Sequence, residues 1–74
     1  MKLTGNTERT RWVCCRYDGS SFWRWAFREG TRSRVDLGPY WIPMGVVLAS
    51  SMAEAAERGR VGRFVKTFEK ETEI

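Results

Sequence analysis

Seventy-four residues allow one thin domain, carrying a net charge of +4, four tryptophans, two cysteines and no histidine. A chain this short buries only about 60–65% of its unfolded surface, so it needs a staple or an unusually rich core. The composition excludes a histidine-based general base, and no apolar run approaches the ~20 residues that cross a bilayer. No signal peptide is read at the start, and a soluble intracellular protein is expected.

Residues 1–8, MKLTGNTE, read as a loose polar arm. The next stretch, RTRWVCCRYDGSSFWRWAFREG (9–30), is the densest in the chain. Its adjacent Cys14 and Cys15 cannot bridge each other, because neighbouring Cα atoms lie closer than disulfide geometry wants. Two thiols without histidine also fall short of a four-ligand zinc site. Both cysteines are therefore expected as reduced, small apolar residues, Cys14 in the core and Cys15 on the basic side.

Residues 9–17 and 21–29 predict two strands joined at Asp18-Gly19, a type I′ hairpin signal that requires φ > 0 at both central residues. With Tyr17 opposite Ser20, Cys14 meets Trp23, Trp12 meets Trp25 and Thr10 meets Phe27 on one face, because side chains alternate along a strand. The other face then holds Arg9 with Arg28, Arg11 with Ala26, Val13 with Arg24 and Cys15 with Phe22. RSRVDLG (32–38) reads as a third strand behind Gly30, with Val35 against Trp25 and Leu37 against Trp23. The expected result is an aromatic core on one side and, on the other, Arg9, Arg11, Arg24, Arg28, Arg32 and Arg34.

GPYWIP (38–43) reads as a turn-rich connector with Trp41 and Ile42 folded beneath the sheet, and MGVVLA (44–49) as a buried fourth strand. In SSMAEAAERG, Ser51 followed by Glu54 fits a capping box that starts a helix. Ala55, Ala56, Gly59 and Gly62 form a small-residue stripe that would let this helix sit close on the sheet, with a break near 59–62 because interior glycine is a poor helix former. Val61, Phe64, Val65 and Phe68 restart a helical spacing, leaving helix and strand both open for 60–70. The acidic end, EKETEI, reads as frayed. The fold class expected is α+β: an antiparallel sheet of three or four strands packed against one C-terminal helix.

No catalytic signature appears. GRVGR (59–63) sets glycines beside arginines but lacks the Lys-Ser/Thr ending of a phosphate loop. No enzyme activity, cofactor or metal is expected. Charge is uneven, with +5 on residues 1–34 and −1 on residues 35–74, and arginines outnumber lysines ten to three. Arginine suits bidentate contacts to phosphate or carboxylate, and basic groups interleaved with an exposed aromatic suit nucleic acid or an acidic protein. Arg11, Phe22, Arg24, Arg28, Arg32 and Arg34 are the expected partner-binding residues.

Through RTRWVCCRYDGSSFWRWAFREG together with MAEAAERGRVGRFVKTF, the chain resembles small bacteriophage transcription regulators of the Xanthomonas phage type, which bind host bacterial RNA polymerase. The resemblance covers nearly the whole chain and assigns no individual residue. It implies a protein of the host bacterial cytoplasm that docks on a polymerase subunit, inhibits sigma-dependent initiation and also changes termination. The order of three Arg-rich strands before an Ala-rich helix is also similar to integrase N-terminal and plant ethylene-response DNA-binding domains, which would imply direct DNA contact. The longer connector, DLGPYWIPMGVVLA, departs from that pattern.

Overall fold

Trp12, Val13, Cys14 and Cys15 are all buried, and four consecutive buried residues on a strand require cover on both faces. In the computed structural model, which describes residues 9–69, their strand is the interior of the sheet. Strand β1 (Thr10–Tyr17) lies between β2 (Ser20–Arg28) and β3 (Trp41–Ala49), with the two-residue β4 (Lys66–Thr67) beyond β3. All pairings are antiparallel. Two helices, α1 (Arg34–Leu37) and α2 (Met52–Arg60), complete an α+β fold. The expected terminal arms at 1–8 and 70–74 fall outside the described residues.

The hairpin closes with Tyr17 opposite Ser20, the pairing expected. The register then departs from the expected one. Arg16 pairs with Arg24, Cys15 with Trp25, Cys14 with Ala26, Val13 with Phe27 and Trp12 with Arg28. Residues 21–23 are thus three extra residues on β2. An odd insertion exchanges the faces of everything beyond it, so the expected separation of an aromatic face from an arginine face does not form. Gly19 is not among the glycines with positive φ, so the turn is not type I′.

One face carries Trp12, Cys14, Ala26, Val47 and Ala49, covered by Ala55 of α2. The other carries Val13, Cys15, Phe27 and Val46 with Leu37 of α1, flanked by Trp25, Trp41 and Phe68. The two adjacent cysteines therefore sit in separate cores, both fully buried, and Cys15 is not on a basic surface. On the first face, the Trp12 indole N–H donates to the Ala49 carbonyl at 3.0 Å, satisfying the one polar group of a buried tryptophan.

Helix α2 begins at the expected residue. Ser51 Oγ accepts from the Glu54 N–H at 3.2 Å. The Glu54 carboxylate reaches back one residue further than a capping box places it, accepting from the Ser50 N–H at 2.7 Å. The small-residue stripe works at Ala55 and Gly59, both buried. A Cβ at Gly59 would stand 2.7 Å from Cys14 Cβ and Sγ, so the helix backbone rests directly on β1, and Cys14 Sγ lies 3.0 Å from the Ala55 carbonyl oxygen. Gly62 lies beyond the helix at φ +82°.

The expected third strand is helix α1. Ser33 and Asp36 cap it: the Ser33 N–H donates to Asp36 Oδ2 at 2.8 Å, and the Asp36 N–H donates to the Ser33 carbonyl at 3.1 Å. Leu37 is buried while Val35 is 87% exposed, a split that strand pairing against Trp25 would not give. The connector and the fourth strand merge into β3, which bears a bulge at Met44: Gly45 pairs with Cys14 and Pro43 with Cys15. Proline is tolerated at such an irregularity because ladder bonding is already interrupted there. Residues 61–65 form no helix and lead into β4, where the Val65 N–H donates to the Val46 carbonyl at 2.8 Å.

Candidate functional site

The six expected partner-binding residues are spread over both sides of the sheet. Arg24 and Arg28 share the α2 face with Arg16, Cys14 and Trp12, since cross-strand partners lie on one face. Arg28 stacks over the Trp12 ring at 5.6 Å, and Arg24 Nη1 donates to the Trp23 carbonyl at 3.1 Å. Arg11 lies on the opposite face, where its guanidinium makes a bidentate pair with Glu29 at 2.7 and 3.2 Å. That pair holds the Glu29 carboxyl below its ordinary range. Arg32 stacks over Trp25 at 5.0 Å, and Arg34 Nη1 donates to the Gly38 carbonyl at 3.0 Å. Phe22, within the three extra residues of β2, is 75% exposed.

Two surfaces emerge in place of the single arginine face. The first is aromatic and lies at the turn end of the sheet, where Tyr17 pairs with Trp41. The Tyr17 ring touches Trp23, Tyr40 and Trp41, with centroids 6.0, 5.9 and 5.3 Å away. Trp41 continues to Trp25 at 5.9 Å, and Trp25 to Phe27 at 5.4 Å. The Asp18 N–H donates to the Tyr40 carbonyl at 2.7 Å, which ties the α1–β3 connection to the hairpin turn and brings Tyr40 beside Tyr17.

The second surface lies toward the other end of β1 and β3, where Thr10 pairs with Ala49. Leu48 and Val65 form one shallow depression with Arg9, Arg58 and Arg63, and Val61 adjoins it beside Arg58 and Arg63. Leu48, Val61 and Val65 are all exposed. Arg58 fixes the arrangement: it donates to the Leu48 carbonyl and pairs with Glu54 at 3.0 Å, while its own carbonyl accepts from the Arg63 N–H at 2.9 Å. The N–H of Ser50 lowers the Glu54 pKa, keeping that carboxylate charged beneath the guanidinium. The sequence reading missed this patch because its parts come from β3, α2 and the approach to β4. The run GRVGRFV was the available signal, with apolar residues alternating among arginines after the helix stop.

A cleft of about 380 Å³ opens between the β2–α1 loop and β4, with Val13, Phe27 and Phe68 as apolar walls and Glu29, Asp36 and Lys66 among its charged groups. Its carboxylates are already engaged, Glu29 by Arg11 and Asp36 by Ser33, so no acid–base pair is poised there. Among the described residues no three His, Cys, Asp or Glu side chains gather as a metal site. No helix of the described residues is long and apolar enough to cross a membrane. Burial pushes the Cys14 thiol up to about 11 and the Cys15 thiol up to about 12. Comparison with protein families, curated proteins and solved structures finds no match to this chain.

Proposed function

We propose that this chain regulates transcription by binding a multisubunit bacterial RNA polymerase, acting by protein contact without catalysis and inhibiting sigma-dependent initiation in the cytoplasm of a phage-infected host. The likeness of its two quoted segments to phage regulators supports this reading. The observation that carries it is the patch of Leu48, Val61 and Val65 bordered by Arg9, Arg58 and Arg63. An apolar centre with a polar rim is the anatomy of a protein interface, and arginine is among the residues that dominate binding energy there. Because Arg58 is held by Glu54 and by the Leu48 carbonyl, part of the rim is ordered before a partner arrives, which reduces the entropy lost on binding.

The reading in which an Arg-rich three-stranded sheet lies in the DNA major groove loses its platform. Residues 32–38 are helical over Arg34–Leu37, and the arginines of β1 and β2 divide between two faces. The test uses purified polymerase core without DNA. The chain is expected to capture it, and Val65→Asp or Arg63→Glu to weaken capture by at least about tenfold, the effect of one lost interface contact of ~1.4 kcal/mol. Capture that requires DNA would return the argument to direct nucleic-acid recognition.

A further inference from the structure

Trp23 and Tyr40 are 61% and 58% exposed, and both are held against the half-buried ring of Tyr17. Tyr17 in turn rests on Trp41, and Trp41 on Trp25. The outer rings are therefore fixed by ring contacts running back to the core, although they contribute little burial of their own. Exposed rings held in this way are available for stacking at little further ordering cost.

Arginines surround this end. Arg32 stacks on Trp25, and Arg34 is bound to the carbonyl of Gly38, two residues before Tyr40. Arg16 and Arg24 pair across β1 and β2 at the same end of the sheet, on its other face. The nearby carboxylates are Asp18, in the turn, and Asp36, which Ser33 already engages. The balance favours a polyanion with flat, unstacked groups.

We infer that the aromatic end binds single-stranded nucleic acid, with unpaired bases stacking on Trp23 and Tyr40, and with Arg32 and Arg34, on the same side of the sheet, meeting the phosphates. Stacking of bases on aromatic side chains beside a basic groove is how sequence-tolerant single-strand binding is achieved. A duplex offers no free base faces, so single strands are selected. A proline-rich peptide also uses aromatic grooves, but it carries no charge to answer Arg32 and Arg34. This site is separate from the Arg63 patch, and the two readings stand or fall independently.

The test is fluorescence anisotropy of labelled oligothymidylate and oligouridylate, titrated with the full chain at several salt concentrations. Binding is expected to weaken linearly in log–log form with salt, as counterion release dictates. Trp23→Ala and Tyr40→Ala should each weaken it about 5- to 150-fold, the scale of one base stack, while Trp23→Phe retains most of the affinity. Equal binding of the two oligomers means that base faces and phosphates suffice, and a preference for oligouridylate adds a contact to the 2′-hydroxyl. Val65→Asp should leave oligomer binding intact while impairing polymerase capture, which separates failure of one reading from failure of the other. Absence of binding at low salt overturns the inference. So does binding indifferent to both alanine variants, or competition by an uncharged polyproline peptide.

Discussion

The two faces of the sheet are built from opposite materials. Under α2, apart from Trp12 and Val47, the sheet residues are small (Cys14, Ala26 and Ala49), and the helix rests its backbone on them through its own Ala55 and Gly59. On the other face, flanked by Trp25, Trp41 and Phe68, the helix among the described residues is α1, which has four residues and contributes Leu37. That helix cannot cover the aromatic rings around it, and Trp25, Trp41 and Tyr17 remain partly open to solvent. Small residues close a face, whereas large ones under a short cover leave a rim of rings. The aromatic surface follows from that difference in cover.

Truncating one tryptophan on each face gives the largest expected contrast. Trp12 is buried and hydrogen-bonded under the α2 side, so Trp12→Ala should cost ~3–5 kcal/mol in urea unfolding. Trp25→Ala, at the half-exposed rim, should cost distinctly less. Equal losses would mean that the two faces are equally closed. Next in size is Gly59→Ala, whose Cβ would meet Cys14 at 2.7 Å. Overpacking of this kind costs ~1–3 kcal/mol, and a lower melting temperature would register it. A melting temperature at or above wild type would show that α2 does not rest on β1 as described.

The cysteines test both faces at once. Each folded pKa is raised by burial from an ordinary value near 9. The folded state therefore holds protons that the unfolded chain releases, so the stabilising difference is complete below pH 9 and is lost as pH rises toward 11 and 12. Stability measured by denaturant should fall across that interval, and both thiols should resist labelling at neutral pH until the chain unfolds. Rapid labelling of either one would identify its face as open. The smallest expected effect is Val35→Ser. At 87% exposure, it should shift stability by no more than about 0.5 kcal/mol; a larger loss would restore Val35 to a packed position.

Much of this organisation was legible in the residues. Asp18-Gly19 marked the hairpin, Ser51 with Glu54 marked the start of α2, and Ala55 with Gly59 marked its close approach. How β1 faces β2 was not legible, because TRWVCCRY is apolar on both of its alternations, and three extra residues on β2 after the turn exchange its partners. Trp12, Val13, Cys14 and Cys15 contained the correction, since a continuous apolar run requires cover on both sides. Val35 and Leu37 imitated strand alternation over too short a window, while Ser33 and Asp36 carried the helix cap. The Leu48 and Val65 patch was legible only in part: GRVGRFV carried Val61, Arg63 and Val65, but Leu48 meets Val65 only after β4 has returned to β3.

Hydrogen–deuterium exchange of the chain, alone and with purified polymerase core, tests the proposed function most directly. Protection on binding should concentrate at residues 46–48 and 58–65, with amides near Tyr17, Trp23 and Tyr40 unchanged. Protection confined to the aromatic end, or none anywhere, would contradict the placement of the polymerase-binding surface at Leu48, Val61 and Val65.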